Sequence, residues 1–206
     1  MITSLIILLP VLVGLLLWHQ LPEQIPVHFN SEGVADSYQS KLWGVTFIYL
    51  VIFACHWFAA IITSVDPRRR NISSKIYRLV LWICPVISVF VGVTIYGTAL
   101  NWPWVNINFM ANLLLGVIFI VIGNYLPKCR QNYTVGIKVP WTLASEANWD
   151  ATHRMAGKLW VAGGVLILLL AIQPWIPAFP ISLVLILAVT FIPMIYSFVY
   201  YLRNEK

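Results

Sequence analysis

The sequence predicts an all-α integral membrane protein with six transmembrane helices and both termini in the cytoplasm. Three observations carry that prediction. Hydrophobic residues make up 60% of the 206-residue chain, charged residues only 10%, and the mean hydropathy is +0.83; a soluble domain has about a quarter of its residues charged. Six apolar stretches, roughly 2–20, 43–64, 76–98, 107–126, 158–173 and 180–202, are spaced as spans that each need about 20 residues to cross ~30 Å of hydrocarbon. Finally, of 13 Lys and Arg residues, only Lys41 falls between odd and even spans on the outer side. The other twelve lie in 65–79, in 127–158 and in the C-terminal tail, and the positive-inside rule makes that side cytoplasmic.

The basic balance, a formal +6, is thus an orientation signal and a contact with anionic lipid. Direct nucleic-acid binding is not expected. Two regions follow: residues 1–64, with two spans and an extracytoplasmic loop at 21–42, and residues 65–206, with four spans and a cytoplasmic segment at 123–157.

The first apolar run has no charged leader and no small-x-small cleavage site, so it is expected to be a retained span. The loop after it is acidic through Glu23, Glu32 and Asp36. Pro22 and Pro26 forbid a regular helix there, and Pro26 holds Ile25 extended. Val27-His28-Phe29 reads as a short strand and Asn30-Ser31-Glu32-Gly33 as a turn that uses positive φ at Gly33. An ordered surface hairpin is expected, its acids serving either to attract a cationic ligand or only to keep an outer loop soluble.

Trp18, Trp43, Trp102, Trp104 and Trp175 sit at the outer ends of spans and form an aromatic belt at the headgroups. Within the spans His56 and Asn112 are expected to make interhelical hydrogen bonds, and Gly163-Gly164 a close helix contact. Cys55, Cys84 and Cys129 show no paired spacing and read as small buried hydrophobes, with no disulfide framework or thiolate metal site.

The longest polar interval runs from Gly123 to His153. Asn124 stands where span four ends and is expected to satisfy carbonyls released there. Gly136 permits a left-handed turn, Pro140 holds Val139 extended, and Thr142 reads as the N-cap of a helix from Leu143 to Met155 that can continue into span five. On that helix Glu146, Asp150 and His153 recur at i, i+4 and i+7 and share a face. Such a face could bind a divalent metal or carry acid–base chemistry, or be a solvated, ion-paired surface through Arg154 and Lys158. The spacing is no known metal signature, and no nucleophile–base pair or phosphate loop occurs. No cofactor and no enzymatic activity are expected.

Gly123-Asn124, then Asn132-x3-Gly136-Ile137-Lys138-x-Pro140-Trp141-Thr142-Leu143, then Trp149-x3-His153, resembles the SdpI family of bacterial immunity and signal-transducing membrane proteins. The outer segment Ile25-Pro26-x-His28-Phe29-Asn30-x2-Gly33-x2-Asp36-x3-Ser40-Lys41 resembles the short domain of unknown function often fused in front of it. Lys138 stands where the family more often has Arg, and Ala147-Asn148 precede Trp149 where an apolar residue is more usual. The resemblance implies a non-enzymatic protein of the cell membrane that protects against a secreted, membrane-active killing peptide and holds a small transcriptional repressor at the membrane. On this reading Pro26, His28, Asn30, Gly33, Asp36 and Lys41 face the toxin. The cytoplasmic motif from Gly123 to His153 faces the repressor, with Trp141 its anchor. A small-molecule transporter or membrane enzyme built on Asn124, Glu146, Asp150 and His153 is the alternative.

Overall fold

The computed structural model describes residues 2–173 and 178–204. These gather into two compact units: residues up to Ile61 together with Arg78–Leu114, and Ile62–Tyr77 together with Leu115 onward.

The first unit opens with helix α1 (Ile2–Leu16), which carries Pro10. A turn over Leu17–Gln20 ends it, with the N–H groups of Gln20 and Leu21 both donating to Leu17 O. Its 15 residues are about 22 Å long, shorter than the expected run to residue 20. Strands β1 (Gln24–Phe29) and β2 (Ala35–Ser40) follow as an antiparallel hairpin, then most of helix α2 (Lys41–Ser64), as far as Ile61. Most of helix α3 (Ser74–Ala99) and the start of helix α4 (Ile107–Tyr125) complete the unit.

Leu21, Ile25, Val45, Tyr49, Ile95 and Tyr96 form its buried core. Polar side chains fasten α1 to its neighbours: Ser88 Oγ donates to Ile7 O (2.7 Å), Tyr96 OH to Pro10 O (2.8 Å), and Thr3 Oγ1 lies 3.3 Å from His56 Nε2. The His56 contact is the interhelical bond expected; Asn112 donates to Asn108 O one turn back on its own helix.

The hairpin is ordered as the sequence suggests. Asn30 Oδ1 accepts from the N–H groups of Glu32 and Val34 (3.0 and 2.9 Å), and Gly33 takes φ +79°. Irregularities flank His28 in the register. Ile25 seats directly on Gly44, where a Cβ would come within 2.5 Å of it. Trp43 and Trp104 are exposed, and Trp102 stacks on Trp104 at 5.4 Å; Trp175 and its connection lie outside the described residues.

The second unit holds a 3₁₀ turn at Arg69–Asn71, the end of α4 and a 3₁₀ turn at Leu126–Lys128. Helices α5 (Pro140–Ala144), α6 (Glu146–Ala171) and α7 (Ala178–Asn204) follow. Glycines let α4 and α6 touch backbone to backbone: a Cβ on Gly164 would come within 2.7 Å of Gly116 O, and one on Gly157 within 2.7 Å of Gly123 O. Phe119, Ile167 and Val189 form one buried cluster, and Ile72, Ile76, Cys129 and Trp149 another.

Helix α2, helix α3, the run Ile107–Lys128, helix α6 and helix α7 are each long and apolar enough to cross a membrane. The chain is a multi-pass membrane protein, with five helices of spanning length among the described residues and one shorter apolar helix, α1. The cysteines are free, but Cys55 is exposed on α2, so only Cys129 is fully buried as expected.

Candidate functional site

The site is built on the irregular stretch between α4 and α6, because its polar groups must find partners without a ladder. Asn132, fully buried, organises the first part. Its Nδ2 donates to Arg130 O (2.8 Å) and Val135 O (3.0 Å), while its Oδ1 accepts from the N–H groups of Thr134 (2.9 Å) and Val135 (2.7 Å). One side chain thus closes the loop 130–135 on itself.

Gln131 ties this loop to α5. Its Nε2 donates to Thr142 O (2.7 Å) and Leu143 O (3.0 Å), carbonyls that a five-residue helix cannot satisfy internally. Its Oε1 accepts from Arg68, and its backbone oxygen from Asn71 Nδ2 (2.7 Å). Asp66, 5% exposed, bonds both its own turn and the loop. One carboxylate oxygen accepts from Arg68 N–H (2.7 Å), the other from Tyr133 N–H (3.0 Å) and Thr134 Oγ1 (2.8 Å). Segment 66–71 is thereby laced to 131–134.

Gly136 takes φ +124°, and a Cβ there would lie 2.5 Å from His153 Nε2, so no other residue fits without displacement. Ile137 N–H donates to that Nε2 (2.9 Å), and Nδ1 of the same ring lies 2.7 Å from Trp149 O. A carbonyl only accepts, so Nδ1 carries the proton and the imidazole is neutral. It stacks on Trp149 with ring centroids 4.0 Å apart. Trp149 donates Nε1–H to Cys129 O (2.6 Å). Burial pushes the Cys129 thiol up to about 11, against the opposing hydrogen bond from Asn132.

The short helix α5 is capped differently from expectation. Val139 is the N-cap and Pro140 the first helical residue, so Thr142 reaches back: its Oγ1 accepts from Val139 N–H (3.1 Å) and lies 2.9 Å from Ile137 O. The helix does not run on from Leu143. Ser145 is extended, and its hydroxyl accepts from Asn148 N–H (3.2 Å) to start α6.

Trp141 is not free to project. It donates Nε1–H to Ser197 Oγ (2.5 Å), and its ring packs on Phe198 at 5.1 Å. Fully buried Asn148 donates to Ser197 O (3.0 Å), so α5 and α6 meet the same point of α7. Asn124 is exposed and caps nothing; the 3₁₀ turn takes up the helix end, with Cys129 N–H on Leu126 O at 3.0 Å.

The acidic face divides. Glu146 and Asp150 are exposed and line a polar cleft of about 280 Å³ with Asn71, Arg130 and Gln131. Neither acid pairs with Arg154 or Lys158 within 4.0 Å. His153 is 1% exposed, with both ring nitrogens committed inside the protein, so it joins neither a metal set nor an acid–base set with them. Asn124 is not among the cleft's lining residues. The motif residues therefore separate into a buried frame and an exposed rim. Gly123, Asn132, Thr142, Trp149 and His153 form the frame, with Gly136, Trp141 and Leu143 half-buried; Asn124, Lys138 and Pro140 form the rim. Lys138 Nζ donates to Thr134 O (2.8 Å). Sequence reasoning passed over Asp66, Gln131, Asn148 and Ser197; only Asp66-Pro67 carried a local signal, an Asp side chain closing its own turn.

On the hairpin, His28 Nδ1 and Asp36 Oδ1 are 2.6 Å apart and exposed. Lys41, expected to face outward, is 7% exposed: its Nζ reaches Glu23 Oε1 (2.8 Å) and Trp18 O (3.3 Å) and lies over the Trp18 ring. Pro26 is buried as well, while Asn30 and Gly33 form the turn.

Comparison with known proteins agrees with the motifs. Residues 128–201 match the SdpI/YfhL protein family, and residues 5–53 match a domain of unknown function, DUF1648. Over 205 residues, 97% of this chain and 94% of the relative, the sequence is 25% identical to the immunity protein SdpI of Bacillus subtilis (strain 168). No solved structure matches the chain.

Proposed function

We propose that this SdpI-related membrane protein is a non-enzymatic immunity protein, protecting the cell that carries it against a secreted, membrane-active killing peptide. The observation that carries the reading is the end-to-end similarity to an immunity protein, which includes both the hairpin region and the cytoplasmic segment. In this reading the charge distribution sets the sides: the hairpin faces out, and 123–157 faces the cytoplasm. An acidic, ordered hairpin suits a cationic peptide.

On the cytoplasmic side the polar cleft and the rim residues Asn124, Lys138 and Pro140 are the surface for a small repressor, whose capture would couple peptide exposure to transcription. Glu146 and Asp150 support this because like charges one turn apart weaken a helix slightly, and neither is within 4.0 Å of a cation among the described residues.

The test is survival. The full-length chain, expressed in a peptide-sensitive bacterium, is expected to raise survival against at least one member of a panel of killing peptides. A normally inserted protein that protects against none overturns the reading. For the two sides, Asp36→Ala should lower protection more than repressor recruitment, and Asp150→Asn the reverse, at equal membrane levels. Equal loss of both by each variant would sink the division.

A further inference from the structure

The hairpin has two edges, and they are not alike. On β1 the edge is blunted: Pro26 has no N–H to offer, and Val27 is an extra residue in the register between Pro26 and His28. Proline and bulges are devices that stop an edge from pairing. On β2, Ala35–Ser40, there is no proline, and its one irregularity lies at Asp36, so the pairing from Tyr38 to Ser40 is regular; five of its six residues are exposed, and it pairs only with β1 among the described residues. Lys41 N–H donates to Glu23 O (2.9 Å) just beyond the register pair Gln24↔Ser40. The alternation of antiparallel pairs then turns the N–H and C=O of Tyr38, and the N–H of Ser40, to the open side.

This edge is held in place rather than loose. Ile25 is locked on Gly44, Lys41 is buried against Glu23 and Trp18, and Gly33 lies against Asn108. Beside it, Gln39, Ser40, Trp43 and Phe47 line a groove of about 360 Å³. Trp43 and Phe47 meet edge to face at 5.6 Å and are about half exposed. Glu32 and Asp36 are exposed acids on the hairpin, while the lone lysine of residues 21–41 is buried.

We propose that the open edge of β2 takes up an extended segment of a cationic peptide as a third strand, with one apolar side chain of that peptide seated in the Trp43–Phe47 groove. Strand addition supplies affinity through main-chain bonds, and a pocket for alternate side chains supplies selectivity. The acids draw in the positive charge. The inference rests on the reading that this chain meets a killing peptide at its hairpin.

The probe is a fluorescein-labelled hexapeptide of alternating lysine and valine, with a twin N-methylated at every residue. The twins share charge and side chains and differ in backbone donors. Each is titrated against the full chain in nanodiscs of neutral phosphatidylcholine. The unmethylated probe is expected to bind at least tenfold tighter than its twin. Trp43→Ala is expected to weaken it at least threefold, and Tyr38→Pro at least tenfold with unchanged far-UV circular dichroism. Equal binding of the twins, or no binding of either, overturns the inference whatever the variants do. So does a strand-paired dimer, seen as Ser37→Cys cross-linking in discs loaded with two copies, because a second copy then owns the edge. The survival assay is separate. Protection without probe discrimination removes this inference and leaves the immunity reading. Probe discrimination with no protection against any killing peptide does the opposite.

Discussion

Replacing Asn132 by alanine should unfasten the loop between α4 and α5 without touching the membrane helices. The side chain makes four good hydrogen bonds, two donated to Arg130 O and Val135 O and two accepted from Thr134 and Val135 N–H. At about 1 kcal/mol net for each, with some carbonyls rehydrated, the loop loses roughly 3–4 kcal/mol. Local opening then becomes roughly 100- to 1,000-fold more populated, since each 1.4 kcal/mol is about tenfold. Lys128, Arg130 and Lys138 flank the loop and are exposed, so trypsin reads the opening directly. Where reclosing outpaces cleavage, the initial rate follows that population. Asn132→Asp keeps the acceptors but sets a second oxygen against Arg130 O and Val135 O, and is expected within about tenfold of the alanine variant. A normally inserted Asn132→Ala protein cleaved less than threefold faster than wild type would refute the reasoning.

Three further outcomes follow from other parts of the molecule. With the native cysteines replaced, cysteine at Ser31 should react with an impermeant thiol reagent in intact cells and cysteine at Ala147 should not; the reverse pattern inverts the sides. In the wild-type protein Cys129, with its thiol pushed up to about 11 by burial, should be alkylated at pH 8 at least about 100-fold more slowly than in denatured protein. Its rate should climb as pH rises toward that value, because the thiolate is the reactive form; a flat profile counts against it. Lys41→Ala should lower stability in detergent by about 1–2 kcal/mol through the lost buried ammonium and stem. Glu23→Ala should cost less than about 0.5 kcal/mol because the Glu23 side chain is 89% exposed; equal costs would contradict that asymmetry.

How much of this was legible in the sequence depends on whether the cause is local. Five of the six expected spans, the hairpin and the glycine contact at Gly164 follow from composition, turn residues and close-approach rules that act within a few residues. The cap of α5 was readable too, had the preference of proline for the first helical position been given its weight. The face of Glu146, Asp150 and His153 shows the limit. Periodicity places three residues on one side of a helix, but not which of them a loop will cover. Ile137 reaches His153 only because Gly136 bends the chain at φ +124°, and no pattern in α6 reports that. Trp141 looked like an outward anchor until α7, 56 residues downstream, supplied Ser197. Asp66 meets Tyr133 and Thr134 across 67 and 68 residues, with nothing in either segment to announce the other.

The way α1 is fastened bears on which changes its sequence can absorb. Ser88 and Tyr96 grip the carbonyl oxygens of Ile7 and Pro10, and every amino acid brings a carbonyl. The identity of the side chain at position 7 is therefore irrelevant to its bond, provided the volume fits. What is constrained is bulk on the facing side: a Cβ at Gly14 would lie 2.5 Å from Tyr96 OH, and one at Gly92 2.8 Å from Pro10. In a saturation library the outward positions of α1 should accept almost any apolar residue. Intolerance should instead concentrate at Gly14, Ser88, Gly92 and Tyr96, three of them on another helix entirely, so the helix that varies most freely would be the one whose place is specified elsewhere.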